Sequence, residues 1–352
     1  MPPILTRPFA LLFVGHFLQA LGYSTMLLLP LYLDWLGASR SEIGAAMAAA
    51  SVGGLAARPV IAWGLDHWGR RKVLVVGTVL LTAGMLSVGL VDRMGPGVYA
   101  MRILVGIGTG TLFTGYFTLA GDVIPAQRRT EGLALFGISG LVPLVLNAVA
   151  PGIGVSPPLL RWFFPVVGLV ILSSLLPLSG VQERAVAVER SPFSWGAVRR
   201  ALGARTLAPV WLATLVFAGM VAVFMAFATV AAEARGLGNP GMVWLTYALG
   251  ALSVRLFGAT LPERVGPSKI AALALVCYSL SFFLAAEATD VAGFAWSGLC
   301  AGIGHGYCFP VLSGQVISRS PEALRGTAMS AFTGLWGLTR LCLLYTSDAA
   351  DE

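Results

Sequence analysis

The feature that most limits this chain is a succession of uninterrupted apolar stretches, each long enough to cross a bilayer. A hydrocarbon core of about 30 Å takes roughly 20 apolar residues of helix. By that measure spans fall at 8–33, 42–63, 73–91, 98–120, 132–153, 162–179, 207–231, 241–261, 270–288 and 291–314, and an eleventh begins near Gly326. The runs are continuous rather than alternating, which favours helices over transmembrane strands. Only 11% of the residues are charged and 57% are hydrophobic, whereas a soluble domain carries about 25% charged residues. That leaves too little polar surface for a soluble globule, a disordered chain, a collagen-like repeat or a nucleic-acid binder. The expected fold class is an all-α polytopic membrane protein. The first span is too long for a signal-peptide core and lacks a small-x-small cleavage site, so it reads as a retained helix.

The formal charge of +7 is concentrated in short clusters between spans. The amino terminus and the segments after every second span hold fifteen of the 23 Lys and Arg residues, the opposite loops hold four, and Arg58, Arg102, Arg255 and Arg340 lie within spans. Positive-inside topology then puts the amino terminus in the cytoplasm, in a bacterial-type inner membrane. The arginine-rich connection from Val181 to Thr206, with an amphipathic piece at Trp195–Arg200, divides residues 1–180 from 207–341. Cys277, Cys300, Cys308 and Cys342 form no CxxC pair. His305 and Cys308 lack further ligands for a metal, and the first three cysteines read as buried thiols.

Residues 342–352 break the pattern inside an apolar run. They resemble the translation of a transposase adapter used in sequencing-library preparation: the codons TGT CTC TTA TAC ACA TCT encode Cys342 to Ser347. The expectation is that the reading frame ran into adapter and that the natural gene continues differently past Leu341.

An internal repeat runs through the rest. At an offset of 197, Arg58 meets Arg255, Asp66 meets Glu263, Gly69 meets Gly266 and Lys72 meets Lys269. At 196, Gly106-x-Gly108-x-Gly110 meets Gly302-x-Gly304-x-Gly306, and Arg129 meets Arg325. Two units of six spans in the same orientation, joined by a cytoplasmic linker, make a transporter design. Ala62-Trp-Gly-Leu-Asp66-His-Trp-Gly69-Arg70-Arg71-Lys72 resembles the loop 2–3 signature of the major facilitator superfamily, with Ala62 in place of its first glycine and His67 in place of its usual basic residue. Arg102-x3-Gly106-x-Gly108-x-Gly110 matches that family's fourth-helix pattern, and Asp122-Val-Ile-Pro125-Ala-Gln-Arg128-Arg129 resembles the end of its helix four. The resemblance covers residues 1–341 and implies twelve helices, so a chain cut at Leu341 lacks about one and a half and is not expected to transport.

The resemblance also implies a cytoplasmic gate. Asp66 faces the amino terminus of helix eleven near Gly326, where a carboxylate meets free N–H groups and the positive end of the helix dipole. Arg70, beside Gly69 and Arg71, is placed to pair with Asp122. The second copy keeps Glu263 and Gly266 but has Pro267 and Ser268 for the arginines and Gln315 near the Asp122 position, so the gate is expected to be asymmetric. Arg58 and Arg255 lie nearer the cytoplasmic ends of their helices and read as snorkelling side chains.

His16, Gln19 and Tyr23 share one face of the first span. Helices one, four, seven and ten line the cavity in the resembling family, which makes His16, Gln19, Tyr23, Arg102, His305 and Tyr307 the first candidates for a substrate or proton cavity, with Asn147, Tyr247 and Trp336 behind them. Arg102 needs an acceptor at membrane depth or an outward reach to the interface. Gly106, Gly108 and Gly110 read as close-packing positions, since a dinucleotide fingerprint needs a preceding strand. Phe217, Met220, Phe224 and Met225 on span seven suit a lipophilic solute. The expected function is alternating-access secondary transport of a small organic solute. Proton-coupled efflux of a drug-like compound or metabolite leads, and an uptake symporter is the rival. His16 and His305 are the side chains able to titrate near neutrality. No cofactor, metal or nucleic-acid partner is expected, only the solute, the bilayer and a proton gradient acting on a monomer. A membrane-embedded enzyme or sensor would need a nucleophile–base pair, paired carboxylates or an appended domain, and none is evident.

Overall fold

Thr6 and Ser39 show how the helices begin. Thr6 Oγ1 accepts the Phe9 N–H and Pro8 occupies the first turn, a position where a missing donor costs nothing. Ser39 and Glu42 close a capping box, each side chain bonded to the other's backbone N–H. In this computed structural model, residues 2–149, 156–182, 195–236 and 242–348 are described, and the side chains of 27, 144–149, 197–198, 200–201, 229–230, 233–234 and 340–348 lie outside that description. Every regular element among the described residues is helical.

Eleven long helices follow in order: α1 Arg7–Trp35, α2 Arg40–Trp68 (bent by 41° beside Arg58), α3 Arg70–Leu90 and α4 Pro96–Val123. Next come α5 Arg129–Phe136 continued by Ile138–Val149, α6 Pro157–Ser179, α7 Ala208–Ala234 and α8 Met242–Phe257. The chain continues with α9 Pro267–Glu287, α10 Val291–Arg319 and α11 Arg325–Asp348. Among the described residues, six helices are long and apolar enough to cross a membrane, or seven with α2 taken as one bent span. Each span read from the sequence has a helix at its place.

Helices α2 and α3 pack on α4, and α1 packs on α5 and α6, while α8 and α9 pack on α10 and α7 on α11. Between these two groups, α2 and α4 meet α11, and α5 meets α8 and α10. The repeat is visible in the glycines. A Cβ on Gly106 would lie 1.9 Å from the Ala50 carbonyl oxygen, and one on Gly302 would lie 2.0 Å from that of Tyr247. Positions 50 and 247 are 197 apart, so the same helix pair is built twice with the same backbone contact. Gly69 (φ 115°) and Gly266 (φ 110°) make matching left-handed turns after α2 and after the short helix Leu261–Val265.

Among the described residues no group of His, Cys, Asp and Glu could hold a metal. Cys308 is buried, but Cys277 and Cys300 are only half-buried.

Candidate functional site: a helix-end gate and an arginine pair

The residues expected to form the gate come together where α2 and α4 end against α11. Asp66 is 2% exposed. Its Oδ1 accepts the Gly326 N–H at 2.7 Å, and its Oδ2 accepts from Thr327 N at 2.8 Å and Thr327 Oγ1 at 2.7 Å. A buried carboxylate thus satisfies two of the orphan donors of α11. The Cβ of Leu65 and Oδ1 of Asp66 would each lie 2.5 Å from a Cβ on Gly326, so the first turn of α11 carries a glycine where α2 leaves no room for a side chain.

One turn away, Asp122 receives Arg70 Nε at Oδ2 and Arg325 Nη1 at Oδ1, both at 2.9 Å. Arg70 also donates to the Leu65 carbonyl at 2.9 Å and the Glu322 carbonyl at 3.4 Å. Arg71 lines a shallow surface hollow with Trp68 and Lys72.

The second copy repeats the cap and loses the ion pair between helix groups. Glu263 Oε1 accepts the backbone N–H of Glu131 at 2.9 Å, in the first turn of α5. Arg129 Nη1 donates to Ser318 Oγ at 3.1 Å. Arg129 is the repeat partner of Arg325, and Ser318 stands 196 residues after Asp122, so the carboxylate's counterpart is Ser318 and not Gln315. Arg128 pairs bidentately with Glu131 at 2.6 and 2.8 Å, and that carboxylate holds its guanidinium above the usual range.

Arg58 and Arg255 do not snorkel. Arg58 Nη1 donates to Thr114 Oγ1 at 2.6 Å and to Thr333 Oγ1 on α11. Thr333 donates to the Met329 carbonyl at 2.9 Å and therefore accepts from Thr114, 2.8 Å away. Arg255 is 3% exposed, and its Nη1 would lie 2.6 Å from a Cβ on Gly137 of α5. The Nε atoms of both arginines are buried without an acceptor. Each reaches from one helix group to the other, and neither has a carboxylate at hydrogen-bonding distance among the described residues.

The cavity candidates divide. His16 and Gln19 are 1% and 0% exposed and diverge instead of sharing a cavity. Gln19 Nε2 donates to Thr78 at 2.9 Å and Ser174 at 2.5 Å, on α3 and α6. Ser139 gives its proton to the Phe136 carbonyl at 2.5 Å, so His16 Nδ1 donates to Ser139 at 2.7 Å. The His16 ring packs among Phe113, Tyr116, Phe117 and Phe136. Tyr23 is half-buried, its hydroxyl beside Gly140. Arg102, 4% exposed, donates to the Ala46 carbonyl at 3.1 Å and contacts Met26 Sδ at 3.3 Å, which satisfies it inside the first helix group.

On the other side the Tyr247 hydroxyl meets His305 Nδ1 at 2.6 Å. The His305 ring packs with Phe217, Phe309 and Trp336, whose Nε1 is buried without a partner. Tyr307 turns the opposite way, its hydroxyl against Gly258. The side chain of Asn147 lies outside the described residues.

Sequence reasoning missed Thr114, Thr327 and Thr333, and it read past the arginine pair. The signal was present, because the 197-residue offset places arginine opposite arginine within two spans.

Comparison with known proteins agrees with this architecture. The "Probable nitrate/nitrite transporter NarK2" of Mycobacterium tuberculosis is 27% identical over 298 residues, covering 78% of this chain and 70% of that protein. An MFS-type transporter of Salmonella typhimurium, STM4428, is 25% identical over 325 residues, covering 88% and 80%. The crystal structure of the human organic anion transporter MFSD10 superposes with a TM-score of 0.79 at 17% identity, over 97% of this chain and 92% of that one. The Escherichia coli fucose:proton symporter FucP superposes with a TM-score of 0.77 at 16% identity, over 98% and 93%. These two likenesses are of fold alone. The sequence profile of the Major Facilitator Superfamily matches residues 12–341, and this chain belongs to that family, as a multi-pass membrane protein and secondary transporter of small solutes.

Proposed function

We propose that the chain carries a small anion, held between Arg58 and Arg255. The observation behind this reading is the pair itself: two guanidiniums, one from each helix group, at repeat-related positions and with no carboxylate bonded to either among the described residues. An uncompensated buried charge costs several kcal/mol, and a planar oxyanion offers the bidentate acceptors that a guanidinium fork fits. The likeness to NarK2 makes nitrate and nitrite the first probes.

This reading displaces the lipophilic solute expected from α7. Phe217 and Phe224 are 0% and 2% exposed and sit in aromatic packing with Tyr278. They support a packed wall better than a solute surface. Export remains the proposed direction, out of a cytoplasm entered by the amino terminus and the gate. An anion leaving a negative-inside cell gains about 2.3 kcal/mol per 100 mV, so export needs no proton, whereas uptake requires proton symport or exchange for another anion.

The test is nitrate and nitrite flux in proteoliposomes, using the protein expressed from its natural locus. Potential-driven flux is expected. Arg255→Gln is expected to cut it more than tenfold, with Arg255→Lys intermediate because the charge survives without the fork. Flux that follows a lipophilic cation and ignores both arginine variants would sink the proposal.

A further inference from the structure

The two arginines are related by the repeat, yet their surroundings are not. Thr114 and Thr333, which hold Arg58, correspond at an offset of 196 to Pro310 and Gly137, and neither of those has a side-chain acceptor. Arg58 is therefore held by hydroxyls, while Arg255 meets Gly137 across the interface, with Tyr247 near it as an electrostatic neighbour. Thr333 also belongs to α11, the helix whose first turn is capped by Asp66 of α2. Between the two levels, Ser330 Oγ donates to the Arg58 carbonyl at 3.1 Å. Gly326, Ser330 and Thr333 thus run down one stripe of α11, tied to α2 at every turn from the gate to the arginine.

We infer that the Arg58–Thr333 bond is a latch on the gate, and that the transported anion competes with Thr333 for Arg58. This rests on the anion reading above. Arg255, with no threonine hydroxyls to give up, makes the first contact with an incoming anion. The anion then offers Arg58 a charged acceptor in place of two neutral hydroxyls, and a charge-assisted bond is about twice as strong. When Nη1 turns to the anion, the Thr333 tie between α2 and α11 is lost, which favours separation of the helix groups at the gate end. Linkage makes the effect reciprocal: weakening the latch raises anion affinity by the factor by which the anion loosens the latch. Neutral hydroxyls suit this role because a carboxylate at position 333 would hold Arg58 too firmly for a monovalent anion to displace.

The experiment uses Thr333→Val and Thr333→Ser in the protein from the natural locus, with its native cysteines replaced and Ser330→Cys as reporter on the buried α2-facing stripe. Labelling by a membrane-impermeant maleimide is measured without anion, and nitrate binding is measured in parallel. Thr333→Val is expected to raise the labelling rate at least threefold and to tighten nitrate binding by a similar factor, and Thr333→Ser is expected to restore both. Unchanged labelling in Thr333→Val overturns the latch whatever nitrate does. Faster labelling with unchanged or weaker nitrate binding overturns the competition. A parent protein that binds neither nitrate nor nitrite while Thr333→Val opens the gate overturns the anion reading and leaves the latch standing.

Discussion

At the expected gate, Asp122 is the carboxylate shared by two arginines. Two guanidiniums share its oxygens at 2.9 Å, from α3 of one helix group and the start of α11 of the other. Removing one partner of a buried charge network leaves the rest uncompensated, at about 3–5 kcal/mol. Asp122→Asn leaves Arg70 with two carbonyls and Arg325 with only Glu322, 3.6 Å away, so it should shift the gate towards open by at least tenfold, read as maleimide labelling of a cysteine at position 330. Asp66→Asn keeps one acceptor for the α11 amides but loses the charge. Charge-assisted bonds exceed neutral ones by about 1–1.5 kcal/mol, so an increase of about tenfold is expected there too. If Asp66→Asn labels like the parent, the helix-end cap is not what closes the gate.

At the level of elements, glycines set how closely the helices approach. Gly106 and Gly302 press on the carbonyls of Ala50 and Tyr247, so a methyl group at either cannot be accommodated by moving a side chain. Gly106→Ala and Gly302→Ala should each destabilise by about 1–3 kcal/mol through backbone displacement, seen as a lower thermal midpoint in detergent. Gly97 is the control, because nothing lies within 4 Å of a Cβ there. Gly97→Ala should leave the midpoint unchanged. Equal losses at Gly106 and Gly97 would mean that close packing is not the cause, since helix propensity by itself favours Ala at both.

Across the whole molecule the repeat builds two unequal sets of contacts at the expected gate. Both halves cap a helix with a carboxylate from the preceding turn, Asp66 on α11 and Glu263 on α5. Only the first adds an ion pair between the two helix groups, because Ser318 and Pro267 occupy the places of Asp122 and Arg70, and the Arg128–Glu131 pair stays within one group. Glu263 is exposed where Asp66 is buried, so its cap is worth the surface figure of about 0.3–1 kcal/mol. Glu263→Gln should therefore open the gate only a few-fold. Combined with Asp66→Asn, the two free energies should add within about 0.5 kcal/mol, as for separate sites biasing one equilibrium. A strongly non-additive double variant would show that the two caps act through a shared contact.

Apolar runs, the lysine and arginine bias and the 196–197 offset determined class, helix number and internal symmetry without any coordinates. Those properties depend on periodicity and burial in lipid, which are local in sequence. The Asp66–Gly69–Arg70 signature was legible for the same reason, since a turn glycine and a helix-end carboxylate are neighbours in the chain. Which partners they meet was not. The donors to Asp66 lie about 260 residues away and the acceptors for Arg58 lie 56 and 275 residues away, at separations no local pattern spans. His16, Gln19 and Tyr23 share a helix face, yet a face can point at a neighbouring helix as readily as at a cavity, and packing sent Gln19 to α3 and α6. Tertiary structure also decided that Arg58 and Arg255 turn inward. A long side chain near a helix end can snorkel or bridge, and only the presence of Thr333 or Gly137 across the interface selects between them.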